Sequence, residues 1–197
     1  FYPTALRAVT AESQLIGAID GLAEVGQPED AALVTPFLGH ERARVRTAAV
    51  HALGSLGSKV HREAIVAALS DPSARVCRAA RRTLLRGAPV DPDRLAFAAL
   101  RSRYPHERRA AVALAGAHDY WVASVLLLRI AATPDVETSS QASAALMAWE
   151  SRYNRVFTEP ASRQVEQFES LLDVANIDAA LRTQLRALVP SMKARMI

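Results

Sequence analysis

The stretch ARVRTAAVHALGSLG, residues 43–57, returns thirty-one residues later as ARVCRAARRTLLRGA, residues 74–88. A fixed period of this size is the mark of stacked repeats. One register holds Ala18, Ala49, Ala80, Ala111 and Ala142. Four residues on, the register reads Leu22, Leu53, Leu84, Ala115, Leu146. Two upstream registers read Leu38, Leu69, Leu100, Ala131 and Val34, Ile65, Ala96, Leu127. Alanine, leucine and arginine dominate, glycines number 8 and aromatics make up 6%. These are strong helix formers without alternating β-branched runs, so the chain reads as all-α.

Each period reads as two helices. In 43–57, Val45, Ala49, Leu53 and Leu56 share one face, and the small Ala48 and Ala49 let a neighbouring helix come close. Gly57 follows, where a left-handed residue favours glycine. Prolines behind polar residues mark the starts of first helices, at Gln27-Pro28, Asp91-Pro92 and Glu159-Pro160. Asp71-Pro72 and Thr133-Pro134 punctuate the loops before second helices. The pattern predicts helix pairs at 3–9 with 12–25, 28–38 with 42–56, 60–69 with 73–86, 91–101 with 105–116, and 120–131 with 136–152. Residues 153–159 break the period, and two further helices follow at 161–175 and 179–189, the latter behind Asp178 as N-cap. The expected organisation is five repeats over 1–152 and a C-terminal helical cap over 153–197. A hairpin of this length cannot cover its own apolar face, so it stacks on its copies. The expected fold is a right-handed α-solenoid of stacked antiparallel helix pairs with a period of 31 residues.

VRTAAVHALG, residues 45–54, resembles the second-helix pattern of the HEAT-repeat family, and within it the short bacterial repeats of the phycobilisome-lyase type. VCRAARRTLL, 76–85, follows the same pattern with Cys77 in place of an arginine, and Pro36 is similar to the proline that bends first helices in that family. The resemblance covers residues 3–152. It departs from the pattern at Glu107-Arg108 and at Thr138-Ser139, where Val-Arg is expected. It implies a binding scaffold for proteins, in a family where some members bind nucleic acid and some are bilin lyases. It also implies that the second helices line a concave surface.

The outward positions of those helices follow from the period. They are Thr47, His51 and Ser55 in the second repeat, and Arg78, Arg82 and Arg86 in the third. The fourth gives Arg109, Ala113 and Ala117, and the first Ile16, Asp20 and Glu24. A flanking register adds Arg44, Arg75 and His106. The charge distribution agrees. Residues 40–110 carry 15 Lys and Arg against six acids, whereas 1–39 carry one Arg against five. The expectation is an arginine-rich concave groove, acidic at its N-terminal end, with Arg44, Arg75, Arg78, Arg82, Arg86 and Arg109 as partner-binding residues. Arginines suit carboxylate and phosphate contacts, but a solvated, ion-paired helix face explains the same residues. A second candidate patch is Tyr120, Trp121, Trp149 and Tyr153, with Tyr104 nearby; core packing is the alternative there.

Chemistry is sparse. The five histidines, at 40, 51, 61, 106 and 118, show no metal-ligand spacing, and no phosphate loop or nucleophile motif is present. No metal or cofactor is expected. Cys77 cannot form an internal disulfide and reads as an inert, partly buried thiol in a reducing, cytoplasmic setting. The longest apolar run, WVASVLLLRIAA (121–132), is too short to span a bilayer and contains Arg129. The chain begins with Phe rather than Met, which reads as an excerpt of a longer or processed chain. The functional expectation is a non-catalytic scaffold that docks an acidic protein partner in the groove. The alternative is sequence-independent binding of a nucleic-acid backbone there. A lyase or a base glycosylase on the same scaffold is a further alternative, although no aromatics are interleaved with the arginines to hold a base.

Overall fold

The computed structural model describes residues 12–57, 61–156 and 158–195, so the helix expected at 3–9 lies outside the described residues. Among the described residues every regular element is helical. The chain divides into two compact units, Phe1–Ala88 and Pro89–Ile197. The lapse of the period at 152/153 falls inside the second unit.

In the first unit the second helices are α1 (Glu12–Val25), α3 (Ala43–Ser55) and α5 (Ala74–Leu84), and α3 packs against both α1 and α5. The first helices are short. The expected helix at 28–38 is instead a 3-10 turn (Pro28–Asp30), α2 (Ala31–Val34) and a second 3-10 turn (Thr35–Gly39). Pro36 is the cause, because it has no N–H to continue an α-helical ladder. The Thr35 hydroxyl donates to the Ala31 carbonyl at 2.8 Å just before the change. The next first helix, α4 (Arg62–Ala67), likewise ends in a 3-10 turn, Ala68–Ser70.

The second unit pairs α6 (Pro92–Arg101) with α7 (Pro105–Gly116) and α8 (Tyr120–Ala131) with α9 (Val136–Glu150). A 3-10 turn (Tyr153–Arg155) leads to α10 (Ser162–Val174) and α11 (Ala179–Arg195), which pack on each other, while α10 also packs on α8. The capping expected at Asp91 and Asp178 is present: their carboxylates accept from the backbone N–H of Arg94 at 2.9 Å and of Leu181 at 2.7 Å. The last helix runs six residues past its expected end at 189, straight through Pro190. Val189 and Met192 are both buried, and their packing holds the final turn together although Pro190 breaks one ladder bond.

All five register alanines are buried, as are Leu22, Leu53, Leu84, Ala115 and Leu146 in the companion register. In each unit these small residues sit where one second helix meets the next. One close approach is at Gly54, where an added Cβ would lie 2.5 Å from Thr83 Cγ2. Two periods on, at Gly116, the nearest atom to such a Cβ is Ala145 Cβ at 3.9 Å. Gly57 takes the left-handed conformation expected of it, φ 68°.

A partly buried arginine bridges neighbouring repeats. Arg46 on α3 donates to both oxygens of Asp71, Nε at 2.7 Å and Nη2 at 2.9 Å. Its Nη1 donates to the carbonyls of His40 and Glu41 at 2.8 and 2.9 Å. Two periods later Arg108 on α7 does similar work, donating to the Ser102 carbonyl at 2.9 Å and to Thr138 Oγ1 at 3.2 Å beside Asp135. The departures from the motif at Glu107 and at Thr138-Ser139 are thus absorbed: all three are buried, and the Ser102 hydroxyl donates to Glu107. Cys77 takes the arginine slot between them as a buried thiol.

Two outcomes follow. Gly54→Ala is expected to lower stability by about 1 kcal/mol, because overpacking against a stiff Thr83 outweighs the gain in helix propensity. Gly116→Ala is expected to raise it by about 0.5 kcal/mol; denaturant midpoints of the two variants measure the contrast. The second outcome concerns acid. The Thr138 hydroxyl and backbone N–H both donate to Asp135 and hold its pKa below the ordinary carboxylate range, and Arg108 adds a smaller effect. A depressed folded-state pKa contributes stability above the unfolded value of about 4, and that contribution disappears as pH falls through the folded value. Asp135→Asn is therefore expected to flatten the fall in melting temperature below about pH 4. An unchanged acid profile would show that the carboxylate is not part of it.

Candidate functional site

The site begins with two neighbouring helices of the first unit. On α5, Val76, Cys77, Ala80 and Leu84 are buried, which turns Arg75, Arg78 and Arg82 to the opposite, solvent side. On α3, Val45, Ala49 and Leu53 are buried, which leaves Thr47 and His51 near its outer side. The two sets meet. Thr47, His51, Arg75, Arg78, Ala79 and Arg82 line one open pocket of about 310 Å³. The period explains the pairing, since Thr47 is the counterpart of Arg78 and His51 of Arg82 one repeat earlier.

The electrostatics of this pocket are one-sided. No carboxylate lines it, and among the described residues no acid lies within ion-pair distance of Arg75, Arg78 or Arg82. The Thr47 hydroxyl donates to the Ala43 carbonyl at 2.7 Å, so its proton is already engaged. Donors to an incoming anion therefore come from the three guanidinium groups and from His51. Ala79 forms a small, apolar floor.

The other expected groove residues are placed differently. Arg44 sits 3.8 Å from Glu12, which also receives Arg42 at 2.5 Å. Arg42 pulls the Glu12 pKa below its ordinary range. Arg86 is exposed past the end of α5 and does not line the pocket. Arg109 belongs to the second unit and lies 3.2 Å from Glu137. Asp20 and Glu24, the expected acidic end, are exposed on α1.

The aromatic candidates form core, not surface. Trp121, Trp149 and Tyr153 are buried, and Tyr120 is half-buried. Tyr120 and Trp149 stack with ring centroids 4.7 Å apart, and Phe168 reaches Trp149 at 5.6 Å. The Trp149 indole donates to the Tyr120 carbonyl at 2.7 Å, and the Tyr120 hydroxyl donates to the Trp149 carbonyl at 3.0 Å. Burial pushes the Tyr120 hydroxyl pKa upward, which keeps it a donor. The Trp121 indole is spent on the Thr158 carbonyl at 3.0 Å. Trp121, Trp149 and Tyr153 bury the large side of each helix where Leu and Ala serve elsewhere, and Tyr120 keeps part of its ring exposed.

Sequence reasoning does not find a second depression, in the second unit. It measures about 630 Å³ and is lined by residues of α6, α8 and α10, including Val122, Leu126 and Leu171. Its position depends on how far apart α8 and α10 settle, which no periodicity encodes. Arg129, 2.5 Å from Asp93, and Arg163 also line it. No described helix is long and apolar enough to cross a membrane.

Residues 10–86 match the family model for HEAT repeats. This part of the chain is an array of HEAT repeats. The match covers nearly all of the first unit, arginine pocket included, and lies wholly outside the second. It reaches the family at large rather than the narrower phycobilisome-lyase type. HEAT repeats are helical scaffolds that commonly mediate protein interactions. No curated protein matches the chain.

Three like charges on one helix face repel, and nothing in the described unit offsets them. The double variant Arg78→Gln, Arg82→Gln is therefore expected to fold and to melt no lower than wild type. Added sodium chloride should raise the wild-type melting temperature more than the variant's, because it screens the repulsion that the variant has lost. Equal salt responses would mean that the guanidinium groups are further apart or better neutralised than the pocket implies.

Proposed function

We propose that this protein is a non-catalytic HEAT-repeat scaffold that docks an acidic segment of a protein partner in the arginine pocket of its first unit. Arg75, Arg78 and Arg82 are the principal contacts. Arg44, which already faces a carboxylate, is an outlying one. One observation carries the reading. Elsewhere in the chain, exposed arginines such as Arg42, Arg109, Arg129 and Arg186 have a carboxylate beside them, and those without one, such as Arg101, Arg155 and Arg163, do not share a pocket with another unpaired arginine. In the pocket three converge without a carboxylate. A guanidinium fork presents donors in the geometry of a carboxylate, and an incoming acidic side chain supplies the missing charge.

The alternatives draw less support. No aromatic ring other than His51 lines the pocket, so there is no platform on which an extruded base could stack. A nucleic-acid backbone needs a longer line of free cations; on one side of the pocket Arg44 is paired with Glu12, and on the other Arg86 stands alone past the end of α5. In the second unit, α10 and α11 pack on each other, and α10 packs on α8. Much of α11's outer side is polar and exposed, including Thr183, Gln184 and Arg186.

The test is charge reversal. Arg78→Glu with Arg82→Glu is expected to weaken binding of a glutamate-rich peptide at least about tenfold, the effect of losing one charge-assisted contact, while circular dichroism stays native. Duplex and single-stranded DNA run across a salt series form the comparison. Tight DNA binding with a steep negative slope of log affinity against log salt would replace this reading with nucleic-acid binding. Peptide binding that survives the reversal would remove the pocket from the function.

A further inference from the structure

We infer that the arginine pocket is built for a phosphate monoester carried on that acidic segment, and that a carboxylate fills it only in part. This rests on the docking reading above and names the group it receives.

The chain supplies its own measure of what one carboxylate requires. At Arg46, a single guanidinium holds Asp71 in a bidentate contact, 2.7 and 2.9 Å, with backbone carbonyls taking the spare N–H group. One arginine is enough for one carboxylate. The pocket holds three, together with His51. A monoanion there would leave most of the positive charge uncompensated and most of the N–H donors idle. A phosphate monoester carries about −1.5 to −2 charges at neutral pH and presents three strong acceptor oxygens. That matches three forks converging from one helix face.

The donor set and the size point the same way. With its proton committed to Ala43, the Thr47 hydroxyl offers an incoming group only lone pairs. Every available donor is therefore a cation or an imidazole, the pattern that suits an anion with acceptors and no donors of its own. A volume of about 310 Å³ accommodates one phosphorylated side chain, with the small Ala79 as floor. The positive surface is also local. Arg44, on α3, sits beside Glu12, and Arg86 lies past the end of α5 outside the pocket, so the three converging arginines form one seat for an anion.

The experiment uses the whole chain and two fluorescent peptides of one sequence, one with phosphoserine and one with glutamate at the central position. Oligothymidylate serves as the phosphodiester probe. The phosphoserine peptide is expected to bind at least about tenfold tighter than its glutamate twin, the effect of one further charge-assisted hydrogen bond. Arg78→Gln with Arg82→Gln should bring the two peptides level. Titrating inorganic phosphate should move the Arg78 and Arg82 Nε–H signals in a nitrogen–proton NMR spectrum. Equal affinity for both peptides, lost together in the variant, overturns the phosphate assignment and leaves acidic docking standing. If neither peptide binds and phosphate leaves the arginine signals in place, both readings fall. If oligothymidylate binds tighter than the phosphopeptide, the pocket is a nucleic-acid contact.

Discussion

The structure depends on the close approach of one second helix to the next. Helices can pack that closely only where side chains are small, and the chain keeps alanine at 18, 49, 80, 111 and 142 for this reason. Gly54 marks one such close contact, against Thr83. Each hairpin leaves an apolar face that water would penalise, and only the next hairpin can cover it. Stacking is thus required by the hydrophobic effect, and its spacing is set by the register alanines.

Charge is handled in two ways in this stack. Arg46 and Arg108 point inward at the loops and are satisfied there by Asp71, by backbone carbonyls and by the Asp135–Thr138 corner. Arg46 and Asp71 are mostly buried, 15% and 11% exposed at the side chain, so their contact is specific in geometry as well as charge. Arg75, Arg78 and Arg82 point outward and are satisfied by nothing in the described unit. The contrast between a filled arginine site and an open one, on neighbouring helices of one unit, is the strongest functional signal in the molecule. It is also why the pocket is better described by what it lacks, a counter-charge, than by any catalytic group.

The second unit solves the packing problem with larger parts. Its core gathers Trp121, Trp149, Tyr153 and Phe168, and the two indoles satisfy their N–H groups on carbonyls of Thr158 and Tyr120. Rings of this size fill the space between α8, α9 and α10, where Phe168 of α10 meets Trp149 of α9. The same core decides that these aromatics are structural.

Much of this was legible in the residues alone. The period of 31, the buried alanines, the left-handed Gly57 and the caps at Asp91 and Asp178 are local or periodic signals, and local chemistry determines them. The outward registers that pair Thr47 with Arg78 and His51 with Arg82 follow from the same period. Other features required the third dimension. The helix through Pro190 persists because Val189 and Met192 are buried by distant residues, and no local rule can report that. The capture of Arg44 by Glu12, and the convergence of three arginines on a pocket with no acid in reach, depend on which helices become neighbours and how closely they pack. Sequence determined which side chains face outward, because helical periodicity is a property of the backbone; tertiary structure decided which of them are neutralised, because electrostatic pairing depends on distances between helices.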